Sequence, residues 1–472
     1  MALPTNVPVL DQPRRVTPAD RRRRSGIATD VVAGVLALSL VGAASLVITW
    51  RHWYSFGRIY AWAPPLFGHF VPHFGVGTPA VVIVAAVVVA RGPEIAYRLR
   101  WRHLCLLGYA TAVVWTFGLA MIGGWQHGLA GQFTSSDQYL LDVPRVTDIG
   151  AMLHQFTSHI LRFQPGNWIT QVSGHPPGAL LVFVWLSRLG LTGGGWAGIT
   201  CVLVGCLAAI AVPLTLRALG EDAAARAVLP FAVLFPGALN LGISADGLFA
   251  GVTSVAILLL AIGASRRGLD GAGLCVAAGV LLGFGMFLSY GLVLMAPIAL
   301  AVCLLRRNWV AVALTALGAL LVVAVFAAAG FWWLDGYDLV LQRYYQDLGR
   351  SRPYDYWVWA NLGALVLAVG PVLAPALRRA AIDPFLTPRP ALVSVWRGRL
   401  RPVTALVLAA ALAVAVADKS GLSKAEVERI WLPFGVWLVA GAALLPSVSR
   451  RWWLTGQAVT ALVVGHLILT NW

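Results

Sequence analysis

The chain of 472 residues is predicted to be all-α: a polytopic membrane helix bundle, about 13 transmembrane helices in all, with an extracytoplasmic loop that carries interfacial helices. Three observations predict it. Fifty-nine per cent of the residues are hydrophobic and only 11% are charged, against about 25% charged in a soluble domain. That leaves too few polar groups to cover a water-facing surface. Apolar runs long enough to cross about 30 Å of hydrocarbon recur from end to end. These runs lack the period-two alternation of barrel strands, which leaves helices as the spanning structure that satisfies every backbone polar group.

Residues 1–25 are basic and proline-containing, with no clear cleavage site, and read as a cytoplasmic tail rather than a signal peptide. Residues 26–472 read as one transmembrane domain. The expected spans are about 27–49, 76–91, 104–124, 196–216, 227–241, 246–264, 271–287, 288–304, 308–331, 357–375, 402–417, 430–447 and 454–471. Arginine clusters between the runs set the orientation. Arg14, Arg15 and Arg21 to Arg24 place the start inside, and Arg91, Arg98, Arg100 and Arg102 place the second loop inside. Residues 125–178 then lie outside. Arg217 and Arg226 flank a loop that also reads as internal, so the apolar stretch 178–191 is expected not to cross fully. With that choice Arg266 and Arg267, Arg306 and Arg307, the arginines from Arg378 to Arg401, and Arg450 and Arg451 all fall inside. The cytoplasmic loop at 376–402 is expected to be a connection with no role in chemistry.

The net charge is +16. Because the arginines serve as orientation signals, this charge does not indicate nucleic acid. All basic residues are Arg except Lys419 and Lys424. Cys105, Cys201, Cys206, Cys275 and Cys303 fall inside apolar runs with no metal spacing and no disulfide framework. No Walker loop, dinucleotide turn or zincin motif occurs. Carboxylates of the kind present are able to hold a divalent metal, but nothing in their spacing indicates one, and no cofactor is implied.

The unusual polar segments collect on the expected outer side: 125–178, 332–356 and 418–429, together with Ser244 to Gly247 and Ser289-Tyr290-Gly291. Residues Gln126 to Gly178 hold Asp137, Asp142, Asp148 and four of the nine histidines. A carboxylate at a partly desolvated interface can act as a general base. Thr134, Ser136 or Asp137 can equally cap an interfacial helix, which the local residues slightly favour. Asp142 and Asp148 compete for any catalytic role.

His175-Pro176-Pro177-Gly178 starts a helix, since proline is tolerated in a first turn. This sets His175 at a helix mouth, as a surface residue or as part of a site. Ser244 or Asp246 suits an N-cap, with site-lining as a compatible second role. Arg343, Arg350 and Arg352 crowd one aromatic-rich external segment against the orientation bias. Guanidinium forks suit phosphate oxygens, although an interfacial aromatic belt is the blander reading. Ser423 and Glu426 have capping-box spacing. That leaves Lys419, Lys424, Glu428 and Arg429 unaccounted for at the mouth of a spanning helix, where phosphate binding suits Lys424 and Arg429.

The order of these pieces is an external Asp-x-Tyr loop, HPPG, SADGLF, an external Arg/Tyr/Trp segment and KAEVERIW at a late helix start. Together they resemble, over residues 100–450, the GT-C superfamily of integral-membrane glycosyltransferases, particularly actinobacterial cell-envelope enzymes. Methylthioxylose, mannosyl and arabinosyl transferases are the nearest types. The resemblance implies a GT-C-like bundle in the bacterial plasma membrane with an extracytoplasmic site. It implies transfer of a sugar from a polyprenyl-phosphate donor to a hydroxyl of a glycan or glycolipid acceptor, of lipoarabinomannan type. It implies Asp137 as base with Asp142 in reserve. His175 and Asp246 would line the site, and Arg352, Lys424 and Arg429 would hold the donor phosphate. Tyr139, Tyr290, Arg343 and Glu428 complete the expected substrate-binding set, with no metal ligand. The acidic loop follows the third helix here, whereas in the superfamily it often follows the first. The alternative from another class is a lipid-linked sugar flippase, which would place polar pairs within helices near the midplane.

Overall fold

In a computed structural model of the chain, the structure describes residues 26–50, 59, 61–382 and 400–470. The expected tail at 1–25 and most of the expected loop at 376–402 lie outside the described residues. The fold is a membrane helix bundle. Among the described residues eight helices are long and apolar enough to cross a membrane, or nine when one bent pair is taken as a single span. Of the other expected spans, that at 454–471 corresponds to the continuous 21-residue helix Ser447–Leu467, which is not among these eight, and the rest are built from shorter pieces.

In chain order the helices are α1 (Ile27–Trp50), α2 (Thr78–Arg98), α3 (Trp101–Ala120), α4 (Ile149–Gln155), α5 (Pro177–Arg188), α6 (Gly193–Ala218) and α7 (Asp222–Val233). There follow α8 (Ala245–Ala264), α9 (Gly268–Leu288), α10 (Ala296–Arg306), α11 (Trp309–Ala328) and α12 (Trp333–Gln346). The last are α13 (Tyr354–Val369), α14 (Leu373–Ile382), α15 (Pro402–Lys419), α16 (Leu432–Leu444) and α17 (Ser447–Leu467). A two-stranded antiparallel pair joins β1 (Gly68–Phe70) to β2 (Ile468–Thr470).

Helix α8 is the buried axis, while α1 and α11 stand at the periphery with Leu36, Leu46, Leu320 and Val325 exposed. Helices α9 and α11 meet through glycine. A side chain at Gly279 would strike the Thr315 carbonyl, and one at Gly318 would strike the Val276 carbonyl. Without a hydrophobic drive between helices in lipid, such backbone contact supplies the packing.

Three features of the bundle follow from backbone breakers. Helix α5 starts at Pro177 and has 12 residues. It therefore rises about 18 Å, short of a roughly 30 Å hydrocarbon core. The expected span at 227–241 is broken: α7 ends at Val233 and a 3-10 segment runs from Pro236 to Asn240. The carbonyls freed there are taken up by buried side chains. Gln457 Nε2 donates to Phe231 O (2.7 Å) and Leu234 O (3.1 Å), and Trp115 Nε1 donates to Phe235 O (3.2 Å). Irregular backbone inside a membrane protein persists only when satisfied in this way. The expected single span at 357–375 is corrected to α13 and α14, which meet at 103°. Gly370 has φ +99°, open to glycine, and Pro371 follows it.

Charges at the two ends of the bundle differ. At one end Arg217, Arg226, Arg306 and Arg401 gather around residues 218–222, paired with Glu221, Asp222 and the Ala218 carbonyl. The other end carries the segments described next.

Candidate functional site

Asp246 lies in the first turn of α8, buried. Its Oδ2 accepts from Arg429 Nη1 at 2.8 Å. Arg429 Nη2 donates to Glu426 Oε2 at 2.9 Å, and the other Glu426 oxygen accepts from Arg352 Nη2, also at 2.9 Å. Arg352 Nη1 donates to the Lys424 carbonyl (2.8 Å), and Lys424 Nζ donates to the carbonyls of Gly349 (2.8 Å) and Arg352 (3.1 Å). Three cations and two carboxylates from 246, 352 and 424–429 thus form one connected network at one end of the bundle.

The turn that carries the network is strained. Ala425 and Glu426 have φ of 68° and 65°, the left-handed region that costs a residue with a Cβ roughly 1–2 kcal/mol. Such a conformation persists where its surroundings over-determine it. Here Asn361 does so. Its Nδ2 donates to Ser423 O (2.7 Å) and Asp418 Oδ1 (2.9 Å), and its Oδ1 accepts from the Ala425 amide (3.2 Å). The capping box expected from Ser423 and Glu426 is therefore absent. Glu426 stands at the start of the short helix Val427–Ile430 without capping it, because its carboxylate is held between the two arginines.

Glu428, two residues on, is buried. Its Oε1 accepts from the Phe67 amide at 2.9 Å, and its Oε2 has no hydrogen-bond partner. Burial pushes the carboxyl up to about 7, with Glu426 adding to the rise and Arg429 opposing it. The Arg352 guanidinium lies over the Phe67 ring, 5.4 Å from its centroid, which ties the segment before β1 to the network. Burial, and then Arg352, lower the Lys424 ammonium from its ordinary value.

The loop at 126–178 meets this network through Tyr139 and His175. Tyr139 is buried, stacked on Phe183 at 5.1 Å and edge-on to His175 at 5.7 Å. Its hydroxyl has no hydrogen-bond partner. Burial and then the Asp246 charge hold it well above the usual phenol range, so it stays protonated. His175 is half-buried between Tyr139 and Phe249. Its Nδ1 lies 2.8 Å from the Gln171 carbonyl. A carbonyl only accepts, so the proton sits on Nδ1 and Nε2 keeps its lone pair. Burial lowers the imidazole from its ordinary value.

The three loop carboxylates have separated roles. Asp137 is exposed and accepts from Thr170 Oγ1 at 3.0 Å. Asp142 is buried, with Oδ1 accepting from Arg145 at 2.6 Å and Oδ2 from the Ile169 amide at 3.0 Å. Both of its oxygens are engaged in holding the loop together. Asp148 is the N-cap of α4, accepting from the Ala151 amide at 2.7 Å. The helix cap expected at Thr134, Ser136 or Asp137 is not formed. The Thr134 hydroxyl donates to Gly131 O and that of Ser135 to Gln132 O. Ser244 occupies the N-cap position of α8 without a side-chain cap bond, its hydroxyl donating to Asn240 O at 3.2 Å.

Two expected residues stand apart. Arg343 pairs with Asp347, which Arg162 also engages at 2.5 Å. Tyr290 packs among Trp333 and Tyr337 with its hydroxyl buried and unpartnered. The residues that spacing did not reveal are Glu426, Asn361, Phe67 and Gln171. Glu426 carried a signal, a carboxylate three residues before Arg429, which its cap-like spacing from Ser423 masked. Among the described residues no three His, Cys, Asp or Glu side chains converge as a metal ion requires.

No family model matches the chain, and no curated protein matches it. Two solved structures match part of the chain. ArnT from Cupriavidus metallidurans, in the apo state, is 19% identical over 64% of this chain and 56% of that one, with a TM-score of 0.39. The Archaeoglobus fulgidus oligosaccharyltransferase, complexed with zinc and sulfate, is 14% identical over 76% of this chain and 53% of that one, with a TM-score of 0.49. The chain thus spans a little over half the length of the solved structures it matches. Likeness at this level leaves function to be read from the site itself.

Proposed function

We propose that the chain is a membrane glycosyltransferase that moves a sugar from a polyprenyl-phosphate donor to a hydroxyl of a cell-envelope glycan or lipoglycan of lipoarabinomannan type, on the outer face of the plasma membrane. The observation that carries the reading is the convergence of Arg352, Lys424 and Arg429 beside Tyr139, His175 and Asp246 at one end of an apolar bundle. A phosphate with a lipid tail fits such a place: cations meet the headgroup while the tail stays in hydrocarbon.

In this reading Asp137 takes the proton of the acceptor hydroxyl. It is favoured over Asp142, whose two oxygens are both engaged within the loop. The acceptor oxygen bonds to the anomeric carbon as the bond from that carbon to the phosphate oxygen breaks. The charge gathering on the departing phosphate is met by the guanidinium forks and Lys424. Tyr139 supplies a neutral hydroxyl and His175 an unprotonated nitrogen to the sugar. Asp246 holds Arg429 in place, and Glu428 holds the Phe67 amide, whose ring lies under Arg352. Arg343 and Tyr290, which stand apart from this cluster, take no part in this reading.

The test is transfer in vitro. Purified protein receives radiolabelled polyprenyl-phosphate sugars or sugar nucleotides with an envelope glycan acceptor. The expected result is transfer from a lipid donor and none from a nucleotide. Movement of the donor across liposomes with no transfer would replace this reading with a lipid-linked sugar flippase.

A further inference from the structure

We propose that Glu426 is an internal stand-in for the phosphate, occupying the anion seat of the site until a ligand's phosphate displaces it. This deepens the reading above and rests on its phosphate site. The geometry is that of a bridged anion: one carboxylate, two oxygens, each 2.9 Å from a different guanidinium, Arg352 and Arg429. A phosphate monoester presents anionic acceptor oxygens of the same kind with a larger total charge, and arginine forks match phosphate as they match carboxylate.

Three further observations separate a displaceable occupant from a fixed structural ion pair. Glu426 is carried on consecutive left-handed residues, Ala425 and Glu426, so its seat is held against backbone preference. The pin that holds the turn, Asn361, grips Ser423 and Ala425, not the Glu426 side chain. The carboxylate is therefore free to leave without unmaking that pin. The surrounding donors are also incompletely used. Arg352, itself buried, has an Nε with no hydrogen-bond partner. Lys424 Nζ meets two carbonyls, and among the described residues no carboxylate pairs with it. Asp246 keeps its bond to Arg429 Nη1 when Glu426 departs, so one guanidinium stays oriented for the incoming anion.

The experiment compares the full-length protein in detergent, wild type against Glu426→Gln, by calorimetric titration with two probes: inorganic phosphate and a polyprenyl monophosphate carrying no sugar. Glu426→Gln is expected to bind phosphate about tenfold more tightly, the scale of one charge-assisted hydrogen bond that no longer competes. Tightening with both probes marks a seat for phosphate as such, and tightening with the lipid alone marks a seat completed by the tail. Unchanged or weaker binding with both, or no binding to either protein, would overturn the proposal. Should Glu426→Gln fail to fold, Glu426→Asp keeps the charge and shortens its reach. It is expected to tighten binding by a smaller factor, and unchanged or weaker binding there overturns the proposal equally. Neither probe carries a sugar, so the absence of glycosyl transfer would defeat the enzymatic reading while leaving this result to stand or fall alone.

Discussion

The two polar regions at this end of the bundle, 126–178 and 418–431, differ in where their charges find partners. In the first the carboxylates are engaged close by. Asp142 pairs with Arg145 three residues on, and Asp148 caps its own helix through Ala151. In the second the partners come from across the chain: Arg429 reaches Asp246, Glu426 reaches Arg352, and Glu428 reaches Phe67. Local pairing builds a folded loop. Long-range pairing of buried charges, with the Arg352 Nε and Glu428 Oε2 atoms left without a hydrogen-bond partner, builds a place that a ligand completes. Density of polar residues in a sequence therefore locates the loop, and convergence in space locates the site.

The largest expected effect breaks the second region. Arg429→Met leaves Asp246 buried without its partner, and removing one member of a buried pair costs about 3–5 kcal/mol. Thermal unfolding of the purified protein is expected to shift down accordingly, with transfer abolished. A melting temperature equal to wild type would show that the network is not cohesive.

The first region is broken most by Asp142→Asn, which weakens the half-buried pair with Arg145 and the bond from the Ile169 amide and is expected to cost about 1–3 kcal/mol in the same assay. Glu428 gives a pH signature. The folded protein holds its carboxyl up to about 7, above its ordinary value of 4.5, so the unfolded chain releases this proton first. The stabilising contribution is complete below the unfolded value and is lost as pH rises through about 7. Melting temperature is expected to fall as pH is raised from about 5 to about 8, and Glu428→Gln is expected to flatten that slope. An unchanged slope would mean the carboxyl ionises normally. The smallest effect belongs to the cap: Asp148→Ala is expected to cost about 1 kcal/mol, with transfer intact.

Much of this was legible in the sequence because it is local. Apolar length marks the long spans. The Pro176-Pro177 pair marks the start of α5, and the arginine count marks one end of the bundle. The rest is not local. The break at Gly370 reads as a continuous apolar run until the positive φ is seen. Glu426 has the spacing of a helix cap, and only Arg352, 74 residues earlier, reveals its different engagement. Asp137 and Asp142 look equivalent in the sequence, and their separation depends on Arg145 and the Ile169 amide closing on one of them.

The most direct test of the account compares Asp137→Asn with Asp142→Asn in the transfer assay, at a temperature where both variants are folded. Removing a general base is expected to lower the turnover of Asp137→Asn by about 10²–10⁴-fold with its melting temperature unchanged. Asp142→Asn is expected to lose stability and retain turnover. Full turnover in Asp137→Asn, or loss of turnover confined to a stably folded Asp142→Asn, would contradict it.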